Sequence, residues 1–189
     1  GAGIGGLTTA IALEQKGIKT RIFEQAEQIK PVGAGIILAN NAMQVFEKLG
    51  LRKIIEKNGN PISSMKITKS NLHPLSKIDF EYFEQKYNTE NIAIHRGKLQ
   101  QLLLDKLKYT EIYLNHKLTS LTKNKKGYEL KFENGKEIQS TVILGADGLH
   151  SMVRKNLFPT NVVRKANQIC WRGVIDYTLP PNYRNELNE

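Results

Sequence analysis

The sequence predicts an α/β fold, a doubly wound Rossmann-like sheet joined by a partial, mostly antiparallel β portion. Three observations predict it. Glycines at positions 1, 3 and 6 run directly into a helix with one apolar face. Strand and helix patterns then alternate, as in a parallel sheet with helical crossovers. After Pro61 the pattern shifts to short, turn-rich strands, which points to an insertion or a second layer.

Each element follows from its local pattern. Leu7, Ala10 and Ile11 stand at i, i+3 and i+4, the buried face of a first helix, and Gly17 is a natural stop. Residues 19–24 alternate, Thr20 and Ile22 against Arg21 and Phe23, as a strand does. A loop with Pro31, Gly33 and Gly35 follows. Ala42, Val45, Phe46 and Leu49 mark the next helix, ended by Gly50, and a short helix runs from Leu51 to Lys57. Strands are expected around 65–68, 78–83 and 92–95, then a helix on Leu99, Leu102, Leu103 and Leu107. Further strands fall near 112–114, 118–122 and 128–133. The last turns through Asn134-Gly135, a favoured type I′ pair, into 136–139. Residues 141–144 read as a buried strand, 151–157 as a helix stopped by Pro159, and 169–177 as one more strand.

Composition narrows the class. The chain has 189 residues, 40% hydrophobic, enough for one large domain or two small ones. The formal charge of +10 admits a surface that attracts anions, but the lysines are scattered. The densest group, Lys123, Lys125 and Lys126, stands before a strand, and no zinc-finger spacing or aromatic-flanked basic run is present. No nucleic-acid partner is expected. Cys170 is the only cysteine, which fits a reducing, cytoplasmic setting. His73, His95, His116 and His150 form no metal-ligand pattern, and no apolar run is long enough to span a membrane.

Two elements speak for a dinucleotide. In Gly1-x-Gly3-x-x-Gly6, Gly1 permits a tight turn, Gly3 lets a pyrophosphate approach the backbone, and Gly6 brings helix and sheet together. The free N–H groups at the helix start then face the phosphates. Glu24 closes the next strand, about where an acid should accept hydrogen bonds from ribose hydroxyls. A carboxylate there repels a 2′-phosphate, which favours FAD or NAD over NADP as the tightly bound nucleotide. A Gly-rich turn without a ligand, and a solvated strand-end glutamate, are the plain alternatives.

The third motif separates the candidates. Gly145-Ala146-Asp147-Gly148 is followed by Ser151 and Arg154 as a helix opens. This string resembles the Asp-Gly signature of the flavoprotein aromatic hydroxylases, the group of p-hydroxybenzoate hydroxylase and salicylate hydroxylase. Taken alone, Asp147 or Ser151 as a helix cap would also explain it. His95-Arg96-Gly97-Lys98-Leu99 is similar to the family's Arg-x-x-Leu element. Gly33-Ala34-Gly35-Ile36, Asn40-Asn41-Ala42, Leu49-Gly50-Leu51 and Trp171-Arg172-Gly173 agree in order.

The resemblance implies FAD as a tightly bound cofactor, NAD(P)H as reductant, and hydroxylation of an aromatic or polycyclic small molecule by O₂ through a flavin C4a-hydroperoxide. It implies that Gly1, Gly3, Gly6, Arg96, Asp147 and Gly148 lie along the FAD phosphates. Glu24 would hold the ribose, Gly35 would lie near the flavin ring, and the backbone of Leu118 would border the adenine. No catalytic side chain is assigned. Arg172 is a candidate beside substrate or flavin, or else a structural sheet arginine. The expected division is 1–60 and 92–160 for the FAD-binding domain, 61–91 as an excursion into a substrate domain, and 161–189 as the start of its main part. The family's first strand and its later Gly-Asp signature are not among these residues, so the sequence reads as a fragment that would not turn over alone. A FAD-dependent reductase or oxidase on the same fold, and an NAD-binding dehydrogenase, are the rival readings.

Overall fold

The apolar spacing at the start of the chain becomes a helix in the computed structural model, which describes residues 1–31, 33–71 and 73–188. Helix α1 (Ile4–Glu14) buries Leu7, Ala10 and Ile11, the three residues that its period selects. Then come β1 (Arg21–Phe23), β2 (Gly35–Leu38), α2 (Asn40–Lys48), α3 (Arg52–Asn58), β3 (Asn60–Ile62), β4 (Ser64–Thr68), β5 (Pro74–Asp79), α4 (Glu81–Tyr87) and β6 (Asn91–His95). Helix α5 (Arg96–Lys106), β7 (Glu111–Tyr113), β8 (Leu118–Asn124), β9 (Gly127–Phe132), β10 (Glu137–Ser140), α6 (Met152–Leu157) and β11 (Glu186–Asn188) complete the order. The elements fall into two compact units: residues 1–30 with 103–170, and residues 31–102 with 171–189.

In unit one β1 and β7 pair in parallel, with Ile22 opposite Ile112 and Phe23 opposite Tyr113. Glu14 fastens the approach to β7: its carboxylate accepts the backbone N–H groups of Lys108, Tyr109 and Thr110. Burial acts to raise the Glu14 pKa, but these hydrogen bonds outweigh it and hold the group below its usual value. β8, β9 and β10 form an antiparallel sheet. Leu121, Leu130 and Phe132 of that sheet enclose Val153 of α6, with Phe23, Leu118, Tyr128, Ile138 and Ile143 around them. This packing sets the helix that follows the Asp-Gly string against a rigid sheet.

Unit two is built on the antiparallel sheet β2-β6-β3. Met43 and Phe46 of α2, Leu51 at the N-cap of α3 and Ile55 of α3 are buried, as are Ile62, Ile92 and Ile94 of the sheet. Asn91, also buried, accepts the N–H of Asn40 through its side-chain oxygen and so satisfies a donor at the start of α2. A second sheet, β11-β4-β5, contains a parallel pair, β11 with β4.

Several local expectations are corrected. Residues 141–144 form no strand: Val142 and Leu144 are 70% and 60% exposed, and the segment has no ladder partner among the described residues. An apolar run becomes a strand only where a neighbour accepts its hydrogen bonds. Residues 169–177 are likewise irregular and exposed, with Trp171 at 95%. The strand expected at 78–83 ends at Asp79, whose carboxylate accepts the Glu81 N–H as α4 begins. In α2 the buried face is Met43 and Phe46, while Val45 is turned outward. Asn134-Gly135 is not type I′: Gly135 has φ of 80° but Asn134 does not share a positive φ. Gly135 donates to the Phe132 carbonyl, and Asn134 accepts the Lys136 N–H. A single glycine in the left-handed region suits a longer hairpin loop.

Candidate functional site

The three glycines of the first motif have different reasons to be glycine. A Cβ on Gly1 would stand 2.5 Å from the Ala146 carbonyl oxygen, and one on Gly6 would stand 2.0 Å from the Gly1 oxygen. Both exclude side chains because protein atoms are in the way. A Cβ on Gly3 would meet nothing within 4 Å. Gly3 is the N-cap of α1 at φ −75° and ψ 176°, a conformation open to any residue, and no side chain caps the helix. Neither packing nor backbone requires glycine there. The position opens onto free space beside the uncapped first turn of an 11-residue helix, where N–H groups and the helix dipole favour an anion.

The other unit-one candidates converge on this loop. Glu24 Oε2 accepts the Ala2 N–H at 2.6 Å and Oε1 accepts the Ala26 N–H at 3.0 Å. The acid is thereby tied to the glycine loop before any ligand arrives. The Asp-Gly string lies against the same loop, through Ala146 beside Gly1 and Gly6. Asp147 Oδ1 accepts the Ser151 hydroxyl at 2.5 Å, and Oδ2 accepts the Val153 N–H at 3.1 Å. Ser151 in turn caps α6 by accepting the Arg154 N–H. Burial pushes the Asp147 pKa up, but the hydrogen bonds from Ser151 and Val153 prevail and hold it below its ordinary value. Gly148 has φ of 80°, where a side chain is strained. Leu118 opens β8 at the edge of the unit-one core, half-buried.

Unit two gathers a different set. Residues 33–36, Arg96, Arg172 and Val174 line a cavity of about 440 Å³. Arg96 is firmly placed: its N–H donates to the Ala34 carbonyl at 3.0 Å, and its stem lies under Gly33, whose φ is 116°. Gly97 lets the loop cross closely, since a Cβ there would stand 2.5 Å from Pro31 Cα. Gly35, like Gly3, faces open space.

The structure thus brings Gly1, Gly3, Gly6, Glu24, Asp147 and Gly148 together in unit one, and Gly35, Arg96 and Arg172 together in unit two. Ala2 and Val174 were not singled out. The first contributes only its backbone and the second only an apolar wall. Among the described residues no cluster of three or more His, Cys, Asp or Glu could hold a metal ion, and no helix is long and apolar enough to cross a membrane.

Comparison with known proteins adds identity to this geometry. A family described as FAD binding domain matches residues 1–182. The aurachin C monooxygenase/isomerase of Stigmatella aurantiaca is 34% identical over 176 residues, 93% of this chain and 46% of that protein. The 3-amino-4-hydroxybenzoate 2-monooxygenase of Streptomyces cremeus is 28% identical over 188 residues, 98% of this chain and 48% of that protein. The chain therefore spans about half the length of the curated relatives it matches. Among solved structures, Klebsiella pneumoniae HpxO complexed with FAD and uric acid superposes with a TM-score of 0.72 at 25% identity. That match covers 82% of this chain and 39% of the other.

Proposed function

This chain belongs to the family of FAD-binding domains, and from that premise we propose that it is the cofactor-holding part of a flavin-dependent monooxygenase. The proposed reaction hydroxylates an aromatic or polycyclic small molecule, with NAD(P)H as reductant and O₂ as oxidant. The single observation that carries the cofactor assignment is Gly3: a glycine that no protein atom demands, at an uncapped helix start, beside a carboxylate already fixed to the same loop.

The residues present fit FAD. The first turn of α1 would receive the pyrophosphate, with Gly1 and Gly6 keeping the loop tight enough to present its N–H groups. Glu24 has each oxygen engaged by one N–H, which leaves lone pairs for ribose hydroxyls. Asp147 and Gly148 would hold the neighbouring turn in register, and the Leu118 backbone would border the adenine. In unit two, Arg96 is proposed as a phosphate contact, because a guanidinium offers paired donors, and Gly35 as a close approach to the flavin ring. Bound FAD supplies the redox chemistry, passing electrons from NAD(P)H to O₂ so that one oxygen atom enters the substrate and the other leaves as water.

We further propose a Rossmann-like FAD-binding domain of residues 1–60 and 92–160, with 61–91 and 161–189 contributing to a mostly antiparallel substrate domain. The pairing of β11 with β4 supports treating those last two stretches as one piece. The relatives named above act as monooxygenases, which supports the reaction class.

The test is an absorption spectrum of the purified protein, then NAD(P)H oxidation with and without a panel of phenolic and polycyclic acids. Flavin bands with substrate-stimulated oxidation are expected. A colourless protein that FAD cannot reconstitute would overturn the assignment.

A further inference from the structure

Helix α5 opens on cations where the helix dipole favours an anion. Arg96 and Lys98 stand in its first turn, and that turn holds no acid. The residue before it is His95, the last of β6. Its ring caps the helix: Nδ1 accepts the Gly97 N–H at 3.2 Å, satisfying one of the donors that a helix start leaves over. The Arg96 N–H donates to the Ala34 carbonyl, so the main chain is braced on either side of Arg96.

Histidine is an uncommon cap; Ser, Thr, Asp and Asn are preferred. An aspartate at this position would cap well, but its carboxylate would compete for the neighbouring guanidinium. A neutral imidazole caps without offering a charge. It does so only while neutral, since an imidazolium has two donors and no acceptor. Protonation therefore breaks the bond to Gly97 and leaves a positive ring at the positive end of the helix. His116 is the contrast. Its Nδ1 lies 2.6 Å from the Leu114 carbonyl oxygen, so that ring donates, and a second proton leaves the bond intact.

The surrounding elements offer little to offset the change. On the face of β6 that carries Ala93 and His95, the cross-strand partners are Gly35 and Ile37 of β2 and Asn60 of β3, none titratable. The charges tied to this strand are Arg96 and Lys98 after it, and Glu84 of α4, which bonds to Asn91 at its far end. Helices α2 and α3 also pack on β6. Of their charged groups Arg52 pairs with Glu47 and Glu56, while Lys48, Lys53 and Lys57 are exposed.

We propose that His95 is a positioning residue that sets Arg96 for the FAD phosphates only while its ring is neutral, so the chain holds FAD more weakly in acid. The inference rests on Arg96 as a phosphate contact, but the cap itself is measurable without cofactor.

FAD affinity is measured by flavin fluorescence at about pH 8 and about pH 5.5, on either side of the imidazole range, in the parent chain, His95→Asn and His95→Ala. Parent affinity is expected to fall about threefold to tenfold in acid, the effect of losing a helix cap. His95→Asn, whose amide oxygen caps at either pH, is expected to bind equally at both. His95→Ala is expected to bind weakly at both. Circular dichroism confirms that each variant is folded. In the cofactor-free chain, NMR of the Gly97 amide should follow the titration of the His95 ring, and that response should vanish in His95→Asn.

An equal acid response in the parent and His95→Asn would overturn the proposal. So would tighter FAD binding in acid that His95→Asn abolishes, since the ring would then be a phosphate contact itself. A Gly97 amide indifferent to the ring's titration would overturn the cap. A Gly97 amide that follows His95 in a chain that never binds FAD would leave the cap standing and sink the flavin reading instead.

Discussion

Gly3 and Gly6 should respond in opposite ways to a side chain. At Gly6 an added Cβ would lie 2.0 Å from the Gly1 oxygen and 3.4 Å from Ala146 Cβ, so backbone must move. Overpacking of this kind costs about 1–3 kcal/mol. At roughly 2–4 °C per kcal/mol for a chain of this size, Gly6→Ala should melt about 2–12 °C lower. At Gly3 the Cβ meets nothing within 4 Å, and its φ and ψ suit an N-cap. Serine is a preferred N-cap, so Gly3→Ser should leave the cofactor-free fold unchanged or stabilise it by a few tenths of a kcal/mol, on the order of 0.3. On the proposed reading the same Cβ would stand where the pyrophosphate approaches, and the new hydroxyl would take N–H groups that the phosphate would otherwise receive. Loss of one or two charge-assisted hydrogen bonds, about 1.5–3 kcal/mol each, weakens FAD at least about tenfold. The assay is a thermal melt without FAD, because bound ligand would itself raise the midpoint, followed by FAD titration through flavin fluorescence. Gly3→Ser that binds FAD like the parent, or that melts several degrees lower, would refute the distinction.

The carboxylates yield two further outcomes. Glu24→Gln places an amide where both oxygens accept backbone N–H groups; FAD affinity should fall about tenfold, with a midpoint a few degrees lower, checked by the same two assays. The Asp147 pKa is held below its ordinary value, so its stabilisation is present above the ordinary carboxylate pKa and disappears as pH falls through the folded-state value. Asp147→Asn should therefore melt lower than the parent at pH 7, and the gap should close as pH is lowered through the carboxylate range; a gap independent of pH would assign the loss to packing instead of charge.

Much of this was legible in the sequence where a pattern answers to a local cause. Leu7, Ala10 and Ile11 fix the buried face of α1 by period alone. The order of the FAD-binding family could be read from motif residues before any fold was known, and the match over residues 1–182 bears that resemblance out. The misses share a physical origin. Residues 141–144 and 169–177 have the composition of strands, but a strand is a relation between two segments, and composition names only one of them. Val45 and Met43 are both apolar, and only the packing of α2 decides which turns inward. The cavity of unit two was legible only as separate strings: residues 33–36, Arg96 and Arg172 were each singled out, but their meeting around one space, and the part of Val174 in it, depends on the fold.

The candidate acids also show why a cap and a cofactor contact need not be rival explanations. Asp147 is engaged within its own loop by Ser151 and Val153, and Glu24 by Ala2 and Ala26. Such bonds would suffice to account for both residues as local structure. Yet each fixes the direction of a carboxylate, or the course of a glycine turn, in the absence of ligand. Ordering a side chain on binding costs about 0.5–1.5 kcal/mol, and a group already held avoids that cost. Gly3 favours the cofactor reading, because a Cβ there would meet no protein atom within 4 Å, at a helix start whose φ and ψ any residue could adopt. The Gly3→Ser experiment decides between the two, since a purely structural loop would bind FAD no worse with a serine at that position.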